Sequence, residues 1–293
     1  MSREKLKNWA KMALGRSYWK SVLVALILSV TAGASTSSSS SSSSSDSGYS
    51  NMSGEEMIAY LIIMAIILSV ALVIFAIGMA VKAFALNPLH IGCQSYFCDG
   101  LENPDVSLGL LGKGFRYNYK NVTKVMFLRD LYLFLWSLLA WIPGVLMIAG
   151  IFSVAVISES LYWDDITESI VMVGIIFLFL GGAIVALVPW IIKSYEYMMI
   201  PYLLVDDPDM NHKEAFALSK KMMMGHKWEA LVLHLSFWGW HILGFLTCFA
   251  LTIFYVQPYQ AYTLAAYYKV LRQQFNAQGM QDYNDSQLLN GQY

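Results

Sequence analysis

Charge is scarce in this sequence. Charged residues make up 13% of the 293 residues, whereas apolar residues make up 57% and the mean hydropathy is +0.51. Soluble domains are about one quarter charged, so the shortage excludes an ordinary soluble protein, and the apolar excess excludes a mostly disordered one. The formal net charge of −1 provides no global basic balance, and we therefore expect no nucleic-acid partner.

Cysteine is also rare. Cys93, Cys98 and Cys248 are the three cysteines, and they do not resemble an extracellular disulfide framework. Together with His90, the first two have a spacing that fits part of a zinc site, but a fourth ligand is missing. Motifs of serine hydrolases, zinc proteases and nucleotide-binding proteins are absent as well. The sequence therefore predicts no metal, no cofactor and no catalytic residue, and we expect the protein not to be an enzyme.

Long apolar runs dominate what is present. A helix needs about 20 apolar residues to cross the hydrocarbon layer, and six segments reach or approach this length. The last two would form one helix about twice as long as the membrane is thick, so we predict a tight helical hairpin at Gly244. The predicted fold is an all-α, polytopic helical bundle that forms a single integral membrane domain over 1–293. The predicted spans are 19–34, 57–86, 126–156, 170–192, 229–244 and 246–271.

The distribution of charge predicts the orientation of these helices. With six spans and an inner N-terminus, all 19 Lys and Arg residues fall on the inner side, as the positive-inside rule requires. Both termini are then inside, and the inner and outer faces carry formal charges of +6 and −7. The outer acidic residues are Asp46, Glu55, Glu56, Glu159, Asp164, Asp165 and Glu168.

The first 34 residues allow two interpretations. Basic residues, an apolar run and the small residues at 32–34 fit a cleaved signal peptide. The alternative, which we favour, is a retained first span preceded by an interfacial helix, because Leu6 and Ala10 belong to an apolar face that basic residues flank. The next segment, 35–51, contains nine consecutive serines and is predicted to be a disordered outer tether.

Polar side chains within a membrane span are rare and usually mark a functional site. His234 and His241 share one face of the fifth span with Trp238. This face either forms a proton- or ligand-responsive stripe that lines a cavity, or is structural, with imidazoles that bond to neighbouring helices or headgroups. Tyr259 belongs to a second stripe, on the last span. Its hydroxyl would bind a ligand, unless the tyrosines form an aromatic belt at the interface.

Two carboxylates lie at the inner ends of spans. Asp130 follows Arg129 in the third span, and Glu196 follows Lys193 at the end of the fourth. One hypothesis is a buried ion pair across these two helices that gates a pathway. The alternative is a set of interfacial anchors with snorkelling side chains, and the position at the inner ends favours it.

Residues 206–227 combine an acidic turn with an amphipathic segment. Asp206, Asp207, Asp209 and His212 could hold a metal ion. However, acidic residues before a helix suit its dipole, and Asn211 is a suitable capping residue. We therefore predict a turn and a helix at the inner surface, where basic residues are expected to attract anionic lipid headgroups.

A set of short segments is distributed over most of the chain. The segments are 3–15, 127–132, 134–139, 142–144, 193–198, 201–202, 215–227, 236–240 and 258–259. They resemble an uncharacterised family of bacterial integral membrane proteins, catalogued as domain of unknown function 975, to which the YciC-like membrane proteins are related. The resemblance implies a multi-pass protein of the bacterial cytoplasmic membrane and brings no established activity, cofactor or site residue. In the family the segments at 142–144 and 193–198 nearly adjoin, whereas 145–188 separates them here.

Three functions fit these observations. The one that we favour is a non-catalytic membrane protein that binds membrane lipids, through anionic headgroups at the inner face, or protein partners. The second is a transporter or permease for a small molecule or an ion, which would use the polar stripe of the fifth span. The third, an enzyme that acts on lipid headgroups, would need a reactive cluster, and only 206–212 comes close to one.

Overall fold

The computed structural model describes residues 3–33, 54–161, 165–247 and 249–290, so the predicted tether at 35–51 and Cys248 lie outside the described residues. Every regular element in the described ranges is helical, which confirms the all-α prediction. The α-helices are α1 (Arg3–Arg16), α2 (Tyr18–Gly33), α3 (Gly54–Val81), α4 (Asn87–Gly100), α5 (Lys113–Arg116), α6 (Tyr119–Leu161), α7 (Asp165–Glu196), α8 (Ile200–Asp206), α9 (His212–Met222), α10 (Lys227–Leu235), α11 (Trp238–Leu246) and α12 (Gln257–Asn290). Shorter elements in the same ranges are two π-helical turns, Lys82–Leu86 and Thr252–Val256, and a 3₁₀ turn, Leu108–Gly112.

Four of the described helical segments are long and apolar enough to cross a membrane. These segments are Ile58–Gly100, Tyr119–Val154, Ser169–Asp206 and Lys227–Leu246. The bent pair α1 and α2 adds a fifth if it is counted as one span. These helices are compatible with a membrane protein, and the structure gives four to five candidate spans where the sequence predicted six.

The predicted span at 246–271 is not among these candidates. A π-helical turn interrupts its beginning, and α12 then continues with glutamine and tyrosine side chains in place of a long aliphatic run. Much of this helix is buried inside the protein, including Tyr262 and Tyr268. The aromatic content raises the apolar count of this segment, but the tyrosines pack against protein and not against hydrocarbon.

The N-terminal helix is part of the protein core. α1 meets α2 at an angle of 110°, and its apolar face, which includes Leu6 and Ala10, is buried against α12. Trp9 Nε1 donates a hydrogen bond to the Leu101 carbonyl oxygen at 3.3 Å. The prediction that this face rests on lipid is therefore wrong, because neighbouring helices already cover it.

The three longest apolar helices expose aliphatic surface. Leu68 on α3 is 63% exposed, Ile148 on α6 is 67% exposed and Leu178 on α7 is 77% exposed. α6 packs along α7, and the described residues between the two family-like segments, 145–161 and 165–188, lengthen these two helices. Apolar surface of this extent is stable in hydrocarbon and not in water.

The segments between the apolar helices form a compact buried core. α4 and α8, which lie within 87–125 and 193–228, are almost completely buried. Two glycines permit this packing, because a Cβ atom at Gly92 would overlap the carbonyl oxygen of Leu111 and one at Gly114 would overlap that of Pro88. Close backbone contacts therefore hold the basic segments together as one folded layer.

The hairpin after Gly244 is confirmed. α11 ends at Leu246 and the chain turns through Phe249, which has a φ angle of 65°. A Cβ atom at Gly244 would overlap the side chain of Thr252 on the returning segment, so only glycine allows so close an approach. The chain then runs back along α11 and α10, and Tyr267 OH donates a hydrogen bond to the His226 carbonyl oxygen at 3.1 Å.

Candidate functional site

A cavity of about 500 Å³ lies among the apolar helices, at the level of the π-helical turn that follows α3. Its walls come from α2, α3, α4, α6 and α7, and they combine apolar side chains with two cations, a carboxylate and an imidazole. The lining residues are Thr31, Phe75, Gly78, Met79, Lys82, Asn87, His90, Met126, Arg129, Asp130, Leu133, Phe134, Ser137 and Trp190.

Asp130 on α6 is the acidic centre of the cavity. Its Oδ2 accepts a hydrogen bond from Asn87 Nδ2 at 3.1 Å and lies 3.3 Å from Lys82 Nζ. The carboxylate side chain is only 10% exposed, so it would be unstable without these partners. Because the π-helical turn begins at Lys82 and ends just before Asn87, this turn sets the approach of both donors to α6.

Arg129 lies beside Asp130, and its guanidinium has a hydrogen-bond donor that is not used within the described residues. Its Nη1 atom is 3.9 Å from Asp130 Oδ1, which is an ion-pair distance but too long for a hydrogen bond. Its Nε atom is buried and has no hydrogen-bond partner among the described residues. Buried polar atoms are nearly always paired, so this guanidinium is suited to bind an additional anionic group.

His90 is held as a neutral imidazole by its neighbours. Thr31 Oγ1 donates its single proton to the Leu28 carbonyl oxygen at 2.8 Å, so the 3.2 Å contact with His90 Nδ1 requires an N–H on that nitrogen. The other nitrogen, Nε2, then accepts from Gln94 Nε2 at 3.4 Å. The cavity thus contains Lys82 and Arg129 against the single carboxylate of Asp130, and its lining has a net positive charge.

This arrangement is suited to the binding of a ligand. Apolar walls with a few convergent polar groups are typical of ligand pockets, and the positive balance favours a ligand that carries an anionic group. In the part of the chain that the structure describes, no group of three or more His, Cys, Asp or Glu side chains is placed to hold a metal ion.

The comparison with protein families places the chain in a group. The sequence model described as "Protein of unknown function (DUF975)" matches residues 1–275. The chain belongs to this family. The matched region includes every residue that lines the cavity. Comparison of this DUF975 protein with curated proteins and with solved structures gave no match.

The second predicted carboxylate of the DUF975 protein, Glu196, has an ion cluster of its own. Its side chain is 6% exposed, with Lys193 Nζ 2.7 Å from Oε2 and Lys227 Nζ 2.5 Å from Oε1. Ser219 Oγ donates to the Glu196 carbonyl oxygen at 2.6 Å. This cluster therefore connects α7, α9 and α10.

The predicted ion pair between the charged groups of the third and fourth spans is not found among the described residues, because Asp130 pairs with Lys82 and Arg129, whereas Glu196 pairs with Lys193 and Lys227. The alternative, a set of interfacial anchors with snorkelling side chains, stays a prediction, although both carboxylate side chains are at most 10% exposed. A lysine from a neighbouring segment reaches each of them, and hydropathy and local spacing do not specify such pairings.

The two histidines of the predicted stripe lie outside the cavity lining. His234 Nδ1 lies 3.0 Å from the Ala230 carbonyl oxygen, and its ring meets that of Tyr195 edge-on at 5.7 Å. His241 is half-buried on α11. The helix is interrupted at Ser236 and Phe237, between α10 and α11, so the two imidazoles do not share one continuous helical face.

Tyr259 is a packing residue of the core. It is 3% exposed, and its ring contacts those of Phe237 at 5.3 Å and Tyr255 at 5.8 Å. Lys11 Nζ from α1 lies 5.9 Å from the ring centroid, within the range of a cation–π contact. The tyrosine is thus placed between α10–α11 and α1 and does not line the cavity.

The acidic turn is fixed by hydrogen bonds within the protein. Asp206 accepts from Tyr268 OH, Asp209 Oδ1 accepts from Asn118 Nδ2 at 2.6 Å, and Asp207 Oδ1 accepts from the Asp209 amide at 3.0 Å. The helix predicted after it is α9, although Asn211 takes the cap position without a side-chain bond. Of the proposed zinc ligands, Cys93 and Cys98 are buried free thiols.

The sequence singles out Asp130 and its neighbour Arg129, but not the other groups that surround Asp130 in the cavity. Lys82, Asn87 and His90 are distant in sequence, and only the folded chain brings them together. One signal was available, because Lys82 is the single charged residue in the predicted span 57–86. A lone cation in one span and a carboxylate in another are expected to pair in the membrane interior.

Proposed function

We propose that this DUF975 protein is a non-catalytic, multi-pass protein of the bacterial cytoplasmic membrane that binds anionic amphiphiles, membrane lipids above all, in the cavity around Asp130. The observation that supports this most directly is the Arg129 guanidinium, whose buried Nε has no hydrogen-bond partner in the part of the chain that the structure describes. The apolar lining suits an acyl chain, and the cations suit a phosphate or carboxylate group.

We further propose that the basic segments and both termini face the cytoplasm. The positive-inside rule supports this orientation, since the compact layer built from 87–125 and 193–228 contains nine of the 19 Lys and Arg residues. The packing of α1 against α12 also supports this orientation. Since these two helices are in contact, the N-terminal and C-terminal parts of the chain would lie on the same side of the membrane, and the chain would cross the membrane an even number of times. Residues 238–256 would accordingly enter the membrane and return as a hairpin.

A substitution that fills the cavity tests the proposal without removing any charge. A Cβ atom at Gly78 meets no atom within 4 Å, and Gly78 lines the cavity, so Gly78→Leu should place its side chain in the cavity without a backbone clash. Gly181→Leu on α7 is the matched control, because Gly181 also has open space and does not line the cavity.

The measurement is native mass spectrometry of the protein released from nanodiscs of phosphatidylcholine and phosphatidylglycerol. We expect wild type and Gly181→Leu to retain phosphatidylglycerol and Gly78→Leu to lose it. Equal retention by all three proteins would contradict binding in the cavity.

Removal of the guanidinium tests the electrostatic part. Loss of a charge-assisted hydrogen bond weakens binding by about 1.5–3 kcal/mol, or roughly tenfold to a hundredfold, so Arg129→Gln should reduce phosphatidylglycerol retention by at least tenfold. Lys221→Gln removes one positive charge from the exposed surface of α9 and should leave retention unchanged. Elution as one symmetrical peak and an unchanged melting temperature would show that Arg129→Gln is folded.

Transport is the second candidate function, favoured by the Lys82–Asp130 pair within the membrane-spanning region. Ionisable residues at this depth often mark a pathway for a substrate or a proton. A transporter would use the cavity around Asp130 and not the His234 and His241 stripe. Retention of a small metabolite in place of a lipid, with a flux into proteoliposomes that Gly78→Leu abolishes, would favour this function.

A further inference from the structure

A second recess lies between α3 and α6 and adjoins the cavity at Met79, which lines both. It is a groove of about 580 Å³ whose α3 side presents the small residues Ala76, Ala80 and Ala83. The α6 side presents Lys120, Thr123, Lys124 and Phe127, which recur at helical spacing along one face. The groove is therefore apolar on one wall and bears two cations on the other.

Thr123 supplies an independent indication that a polar group belongs in the groove. The residue is 6% exposed, and its Oγ1 atom is buried with no hydrogen-bond partner among the described residues. A threonine in a helix can usually bond to a carbonyl oxygen of the preceding turn, and a hydroxyl buried without a partner is unfavourable. An ester or phosphate oxygen of a bound molecule would satisfy it.

The position of the groove defines the molecule that fits. Tyr119 OH donates to the Phe84 carbonyl oxygen at 2.7 Å and closes the basic end of the groove. From there α3 leads into its lipid-exposed stretch, where Leu68 is 63% exposed. A ligand in the groove would thus have its charged end beside Lys120 and Lys124, and its apolar part would continue along α3 into the bilayer.

We propose that this groove binds one anionic phospholipid, with its phosphate between Lys120 and Lys124 and an acyl chain along Ala76 and Ala80. The match is one of charge and of shape, since Lys120 and Lys124 line one wall and the small residues Ala76, Ala80 and Ala83 leave room on the other, between Met79 and Phe84. This site does not depend on the proposed function, because none of these four residues lines the cavity around Asp130.

The test counts bound lipids in variants of the full-length protein. Nanodiscs of phosphatidylcholine with phosphatidylglycerol are used, and native mass spectrometry reports each retained lipid. Each basic residue near an anionic lipid contributes about fivefold to binding, so the double variant K120Q/K124Q should lower retention of one phosphatidylglycerol roughly twentyfivefold. The control K220Q/K221Q removes the same charge from the exposed surface of α9 and should retain it.

Two further variants separate this site from the cavity and from a general loss of charge. Ala80→Leu should block the groove without changing charge, whereas Ala71→Leu, at an exposed position on α3, should not. Thr123→Val should lower retention if its hydroxyl bonds to the lipid.

The contrary outcomes are equally definite. Unchanged retention in K120Q/K124Q and Ala80→Leu, or equal loss in the α9 control, would overturn the proposal. If K120Q/K124Q and Ala80→Leu release a lipid while Gly78→Leu retains it, the result would contradict binding in the cavity and support binding in the groove.

Discussion

Lys227 Nζ lies 2.5 Å from Glu196 Oε1, and this ion pair joins two helices across 31 residues of sequence. The carboxylate is 6% exposed, so loss of the lysine leaves a buried charge with Lys193 as its remaining cation in the cluster. We expect Lys227→Met to reduce the free energy of unfolding by about 2 kcal/mol, which is typical for the loss of a charged hydrogen bond. Thermal unfolding in detergent measures this effect.

Lys220→Met provides the comparison for this variant. Lys220 is an exposed residue of α9, and surface substitutions usually change stability by less than about 0.5 kcal/mol. A melting temperature for Lys227→Met equal to that of Lys220→Met would show that the Glu196 cluster does not stabilise the fold.

The close packing of the basic layer predicts a strong effect of one methyl group. A Cβ atom at Gly92 or Gly114 would overlap a backbone carbonyl oxygen, and a backbone atom cannot move aside as a side chain can. Gly92→Ala and Gly114→Ala should each destabilise the protein by about 1–3 kcal/mol or more. Gly15→Ala should instead be neutral or raise the melting temperature, because its Cβ meets no atom within 4 Å and alanine favours a helix over glycine.

How much the sequence predicts depends on the range of the interaction. Local signals located α9 after Asn211 and the hairpin after Gly244, because caps, breaks and helix length act within a few residues. Contacts between residues that are distant in sequence could not be predicted from such local signals. The partner of Asp130 proved to be Lys82, from a segment 48 residues away, and hydropathy alone predicted a span where α12 is instead buried against α1.

The hairpin offers a test in which a second substitution should repair the first. A Cβ atom at Gly244 would overlap Thr252 Oγ1, which is itself buried without a hydrogen-bond partner among the described residues. Gly244→Ala should therefore lower stability by about 1–3 kcal/mol, Thr252→Ala should change little, and the double variant should recover at least half of the loss. A double-mutant cycle of melting temperatures measures this coupling. Strictly additive effects would show that the two residues do not meet.

The final prediction concerns alkaline pH and the base of the hairpin. Burial raises the pKa of the Tyr267 and Tyr268 hydroxyls, and the hydrogen bond to Asp206 raises the pKa of Tyr268 further. Each neutral hydroxyl therefore stabilises the fold below pH about 10, the unfolded value, and this stabilisation is lost as the pH rises toward the folded pKa. The melting temperature of the wild type should fall from about pH 10 upward. The melting temperature of Tyr268→Phe should be lower at neutral pH but should fall less steeply. Tyr117→Phe, at a residue that is 58% exposed, is the control, and identical slopes in all three proteins would contradict the prediction.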